Sequence, residues 1–226
     1  MPTIAENLAA IRGRIDAAAL RAGRDPFAVE LVAVSKTHPA ERILEAAEEG
    51  QVIFGENRVQ EALVKIPALP GRLRWHLIGH LQSNKVRKAL PLFELIHGVD
   101  SAELARDIDR IGGELGLHPR VLLEVNVSGE GSKHGFEPEA LERQLDGLLS
   151  LPRVQVEGFM TMAPLAPEAE ASRPFFAKLR ELRDRLAVRA GIPLPILSMG
   201  MSGDFEVAVE EGATLVRVGS SIFGNR

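Results

Sequence analysis

The sequence predicts an α/β fold: a single (β/α)8 TIM barrel of parallel strands with an extra N-terminal helix. Eight short apolar segments alternate with helical patterns along the 226 residues. That alternation argues for parallel pairing. Eight strands suit a closed barrel, since open doubly wound sheets more often have about five or six. The length fits one barrel spanning residues 1–226 and is tight for two ordinary domains.

The chain opens with a capping box, Thr3 with Glu6. Ile4, Leu8, Ile11, Ile15 and Ala19 then recur at helical spacing until Gly23. Asp25-Pro26 marks a turn. Leu31 to Val34 form the first strand, with Lys36 at its C-terminal end. Pro39 takes the first position of a helix that runs through Ile43, Leu44 and Ala47 to Gly50. Val52 to Phe54 form the second strand, ended by Gly55, and a helix follows from Asn57 to Ile66. Arg74 to Ile78 form the third strand, closed by Gly79. Gln82 to Leu90 read as a basic helix, and Phe93 to His97 as the fourth strand. Asp100 and Glu103 form a second capping box that opens a helix to Leu115. Val121 to Val127 are the fifth strand, Gly129 to Gly135 a loop, and Pro138 to Leu149 a helix. Val154 to Phe159 are the sixth strand. Phe175, Leu179, Leu182 and Leu186 mark one face of a long helix behind Pro174. Pro195 to Leu197 make the seventh strand and Asp204 to Glu211 a short helix. Thr214 to Val218 make the eighth strand, and Ser220 to Phe223 one last turn.

Composition narrows the function. A net charge of -4 and a pI near 5.9 offer no footprint for nucleic acid or an anionic membrane. The chain has no cysteine, which removes disulfides, zinc–thiolate sites and cysteine nucleophiles together. No apolar run reaches membrane-spanning length and no signal-peptide pattern opens the chain. A cytoplasmic protein is expected.

In a parallel barrel the C-terminal ends of the strands carry the ligand site. Lys36 stands there, after four apolar residues. An amine between apolar walls can act as a nucleophile, and its natural partner is an aldehyde, as a Schiff base. From this stretch alone, a lysine snorkelling to solvent is the competing reading. Asn57 follows strand two, and His76 lies on strand three with Gly79 behind it. Asn126 and Ser128 follow strand five; Thr161 and Met162 follow strand six. After strand seven comes Ser198-Met199-Gly200-Met201-Ser202-Gly203-Asp204, and after strand eight Gly219-Ser220-Ser221. Loops in these two positions frequently bind phosphate: glycine admits a close approach and hydroxyls donate to anionic oxygen. Arg217 interrupts an otherwise apolar strand and can point into the same mouth. A lysine for an aldehyde, an anion site and an inward arginine together suggest pyridoxal phosphate.

Six motifs carry a resemblance that spans nearly the whole chain in order. They are Val34-Ser35-Lys36-Thr37, the stretch from Phe54 to Glu61, and the stretch from Trp75 to Lys85. Val125 to Lys133, Ser198 to Glu206, and Val216-Arg217-Val218-Gly219 follow. On these the sequence resembles the pyridoxal phosphate homeostasis family of YggS/PROSC type, whose fold is similar to the alanine racemase barrel, PLP fold-type III. The resemblance implies that Lys36 carries the Schiff base and that Ser202, Gly219 and Ser220 hold the phosphate. It implies that Arg217 faces the pyridine nitrogen and that Asn57 and Met199 line the ring. His76 completes the expected cofactor-binding set. His134 stands where the resemblance leads one to expect a small or polar residue.

The family resemblance implies a protein that holds, buffers or delivers pyridoxal phosphate without useful turnover; a monomer or weak dimer is expected. Pyridoxal-phosphate-dependent apo-enzymes are the candidate acceptors. The alternative is an amino-acid racemase. Alanine racemases add a C-terminal β-domain, which is not expected here, and use a tyrosine as second base; this chain has no tyrosine. No metal site is expected. His76 and His80 are four apart, but Gly79 intervenes and no glutamate follows the first histidine. Gly129 to Lys133 lack the spacing of a Walker loop, and Lys85, Arg87 and Lys88 read as a solvated helix face.

Overall fold

The computed structural model describes residues 2–131 and 134–224; Ser132 and Lys133 of the fourth motif lie outside the described residues. Helix α1 (Ile4–Arg21) begins with the expected box: Thr3 accepts from the Glu6 N–H, and Glu6 accepts from the Thr3 N–H. The strands are β1 (Glu30–Val34), β2 (Ile53–Glu56), β3 (Arg74–Leu77), β4 (Leu95–Val99), β5 (Arg120–Glu124), β6 (Gln155–Met160), β7 (Ile196–Ser198) and β8 (Leu215–Val218). They close in sequence order into one parallel barrel, with β8 beside β1. The crossings carry α2 (Ala40–Glu48), α3 (Val59–Lys65), α4 (Val86–Ala89), α5 (Ala102–Leu115), α6 (Pro138–Leu149), α7 (Arg173–Ala190) and α8 (Phe205–Glu210), and α9 (Ser220–Phe223) follows β8. Helix α1 packs on α8 and α9, and Asn7 donates to the Ile222 carbonyl at 2.9 Å. No helix among the described residues is long and apolar enough to cross a membrane.

Strand parity decides what each side chain meets. Val32, Ile53, Leu95, Leu122, Met160 and Leu215 form a cluster inside the barrel. Their alternate neighbours, such as Ala33, Phe54, Ile96, Leu123, Phe159 and Val216, join the layer between sheet and helices. The same parity turns His76, His97, Glu124, Ser198 and Arg217 inward, so a polar layer lies within an otherwise apolar barrel.

Several boundaries differ from the sequence reading for identifiable reasons. Strand β2 continues through Gly55 and Glu56: a Cβ at Gly55 would meet Ile78 and Val32 at 3.0 Å, and Glu56 is buried against a lysine. Pro39 is the N-cap of α2, one residue before the helix. Gln82 to Leu90 split into a 3-10 turn (Ser83–Lys85) and the single turn α4. Ser101, and not Asp100, caps α5 by accepting from the Leu104 N–H, which leaves Asp100 for other partners. On α7 it is Phe176, not Phe175, that joins Leu179, Leu182 and Leu186 in the fully buried face.

Candidate functional site

The strand C-termini open on a cavity of about 670 Å³. Lys36, Asn57, Ser202, Arg217, Gly219 and Ser220 all line it. These residues come from the ends of β1, β2, β7 and β8, so only closure of the barrel brings them together.

Lys36 is half-buried, and its amine makes no hydrogen bond or ion pair among the described residues. The backbone that presents it is tied down with unusual care. Thr37 has φ 66°, a left-handed conformation that a β-branched residue rarely adopts. Its N–H donates to Glu61 Oε2 at 3.0 Å. Behind it, Lys65 Nζ donates to the Ser35 carbonyl at 2.9 Å and to Glu56 Oε1 at 2.7 Å, and lies 3.5 Å from Glu61. Ser35 Oγ donates to the same Glu56 oxygen at 2.8 Å. Burial raises the Glu56 carboxyl, while Lys65 and Ser35 pull it back down. One lysine therefore organises the strand end that displays the other.

The opposite side of the cavity is built by the loops after β7 and β8. Asp204 accepts from the Met201 N–H at 2.7 Å and from Ser172 Oγ at 3.0 Å, which shapes the Ser202-Gly203 turn. The Gly219 N–H donates to Ser202 Oγ at 3.3 Å and joins the two loops. A Cβ at Gly219 would meet Val34 at 3.1 Å, so a larger residue would push this loop away from Lys36. On the β2 side, Gly79 is required for packing: a Cβ there would stand 2.4 Å from the Asn57 carbonyl.

Arg217 is buried, and two of its nitrogens are occupied. It donates to Ser198 Oγ at 2.5 Å and to the Thr161 carbonyl at 2.9 Å. Burial lowers it to about 10, with Glu124 and Asp204 holding it up, so it stays charged at neutral pH. Burial pushes Glu124 up to about 7, helped by Asp100 and opposed by Arg217 and His134. Below the mouth, Ser198 Oγ meets His97 Nδ1 at 2.9 Å, and His97 Nε2 meets His76 Nδ1 at 3.1 Å. Arginine only donates, so the Ser198 hydroxyl accepts from it, and the hydroxyl and the two imidazoles form one chain from Arg217 to His76. The chain ends at His76 Nε2. That last atom has no partner among the described residues.

Burial pushes His76 down to about 4 and His97 well below its usual range. A depressed histidine contributes stability that is present above its unfolded value near 6.5 and is lost as pH falls towards 4. For His76 this amounts to roughly 3 kcal/mol. His76→Asn keeps a polar group facing His97 and cannot titrate. The urea midpoint of the wild type should fall between pH 7 and pH 4, and that of His76→Asn should fall less steeply. Equal slopes would place the acid sensitivity elsewhere.

Two members of the expected cofactor-binding set do not line the cavity. His76 points inward but lies one layer too deep, beneath Ile78, which does line it. Met199 follows inward Ser198, so parity turns it outward into the core between sheet and helices; Met201 reaches the cavity instead. Counting parity from Arg217 and Ser198 would have found this. Met162, expected after strand six, lines the mouth, and the reading missed His38 and the apolar stretch from Ala163 to Ala166 beside it. His76 and His80 take different partners: His80 leaves the interior and meets Asp100 at 3.0 Å.

Comparison with known proteins follows the same outline. Residues 7–226 match the family described as alanine racemase, N-terminal domain. The pyridoxal phosphate homeostasis protein of Aquifex aeolicus (strain VF5) is 47% identical over 222 residues, covering 98% of this chain and 97% of its own. The Escherichia coli (strain K12) protein of that name is 41% identical over 239 residues, with 100% and 98% covered. The chain belongs to the pyridoxal phosphate homeostasis protein family. Solved structures agree with that membership. PipY of Synechococcus elongatus PCC7942, without PLP, superposes with a TM-score of 0.88 at 46% identity, covering 98% of this chain and 100% of PipY. The same protein with PLP bound gives 0.85 at 45% identity, with the same coverage. An alanine racemase of Clostridium difficile 630 shares the fold alone, at 17% identity and a TM-score of 0.77; this chain spans 57% of it. The barrel expected from the sequence is the barrel observed.

Proposed function

We propose that this protein holds pyridoxal 5'-phosphate at Lys36 and serves intracellular cofactor homeostasis, buffering or delivering the cofactor without turning over amino acids. The observation that carries this reading is the convergence of Lys36, Arg217 and the two serine–glycine loops on one cavity. Membership of a family with a PLP-bound relative supports it. When bound, pyridoxal phosphate supplies an aldehyde that condenses with an amine and a ring that withdraws electrons. The residues present suit that group. Lys36 offers an amine without a competing partner. Ser202 and Ser220 offer hydroxyls to an anion, and Gly203 and Gly219 admit its close approach. Asn57 adds a polar side chain from β2. Arg217 has its Nε left as a donor and keeps its proton, so it donates a hydrogen bond and does not supply acid.

A racemase needs a proton carrier on each side of the reacting carbon. Lys36 can serve one. His38 lines the cavity too, but it comes from the same strand end as Lys36 and its ring packs on Phe223 at 4.8 Å. Three strands around the barrel, the loop after β6 offers Met162, Ala163, Pro164, Leu165 and Ala166, none of which can carry a proton. A cytoplasmic monomer or weak dimer that passes the cofactor to apo-enzymes fits this site. Loaded protein incubated with common amino acids should change its visible spectrum and yield no more than trace enantiomer or keto acid. Racemase or transaminase turnover on the order of 10 per second would restore the enzyme reading.

A further inference from the structure

His80, Asp100 and His134 meet outside the cofactor cavity, and none of the three lines it. They stand on the loops after β3, β4 and β5, so three adjacent strands deliver them to one rim of the barrel. Their ligating atoms all lie within 4.8 Å of one another. His80 Nδ1 is 3.0 Å from Asp100 Oδ2, and His134 Nδ1 is 3.6 Å from the same oxygen. The two rings are nearly parallel, 19° apart with centroids 4.6 Å apart.

We propose that these residues form a mononuclear transition-metal site, and that Zn²⁺ is the ion it suits best. In a tetrahedral zinc site with bonds of about 2.0–2.1 Å, ligand atoms stand about 3.3 Å apart. The two distances to Asp100 bracket that value. Two imidazoles and one carboxylate select zinc and its neighbours, whereas magnesium and calcium prefer an all-oxygen shell. Burial divides the work. Asp100 is withdrawn, its side chain 11% exposed, next to the Ser101 cap of α5. The imidazoles are 44% and 63% exposed, so an ion can reach them from solvent. Three protein ligands at an open rim leave a fourth position to water. Only strand order creates the site, since 20 and 34 residues of chain separate Asp100 from His80 and from His134.

The test uses the full chain after removal of metal by a chelator. Zn²⁺ is titrated by calorimetry, and Co²⁺ by visible absorption. The wild type should take up one equivalent of either ion, and Co²⁺ should acquire the absorption of a four- or five-coordinate ion. Zn²⁺ should raise the wild-type melting temperature. His134→Ala and Asp100→Asn should each bind Zn²⁺ at least tenfold more weakly while melting as the metal-free wild type does. His118→Ala, which removes a surface histidine outside the cluster, should bind as the wild type. Lack of saturable uptake by the wild type, or affinity unchanged in both ligand variants, overturns the site. Cofactor attachment at Lys36, read by borohydride trapping, should be unaffected in all three variants.

Discussion

Lys36→Ala protein, incubated with pyridoxal phosphate and reduced with borohydride, should carry no pyridoxyl group, whereas the wild type should carry one on the peptide containing Lys36. The reason lies in the placement of the amine. Lys36 lines the cavity and has no side-chain hydrogen-bond or ion-pair partner among the described residues, so its removal breaks neither kind of contact. Stability should therefore change by no more than about 0.5 kcal/mol. Non-covalent binding should persist, because the serine loops and Arg217 remain. Adding Ser202→Ala to Lys36→Ala should weaken that residual binding by about 1–3 kcal/mol, the worth of a hydrogen bond to a charged oxygen. Peptide mapping decides the matter: a main adduct on any other lysine of the wild type would remove Lys36 from its role.

Lys65→Met should cost about 3–5 kcal/mol, the usual penalty for stripping one partner from a buried ion pair. Glu56 is fully buried, and Lys65, 2.7 Å away, is the cation paired with it. Without Lys65 the carboxylate must stay charged in the interior or take up a proton. Its pKa, already raised by burial, rises further once the lysine that lowers it is gone. The loss should accordingly be larger at pH 8 than at pH 5, where protonation relieves it. Glu56→Gln in the Lys65→Met background should recover at least half of the stability. Cofactor affinity should fall with the single change as well, because the Ser35 carbonyl and Glu61 are released beside strained Thr37. Denaturation at two pH values measures the first effect. A loss under about 1 kcal/mol at pH 8, or no recovery in the double variant, would show that the pair is not needed.

Much of this was legible along the chain. Period-2 and period-3.6 patterns, with glycine and proline as punctuation, located the eight strands to within a few residues. They placed Lys36, Asn57, Ser202, Arg217, Gly219 and Ser220 at strand ends, because parallel barrels put strand C-termini on one face. Helix caps were less legible. Asp100 and Ser101 are both good caps by residue type, and only the backbone path shows that Ser101 accepts from Leu104.

Sequence by itself therefore determined the fold class, the place of Lys36 at a strand end and the face on which the cavity opens, since each depends on local pattern and on order along one strand. Tertiary structure alone decided depth and company. His76 and Ile78 share a parity, and closure of the barrel puts one beneath the other. Lys65 serves Lys36 because α3 packs against the end of β1. His80 finds Asp100 and His134 because neighbouring strands in a barrel share a rim, whatever the length of chain between them.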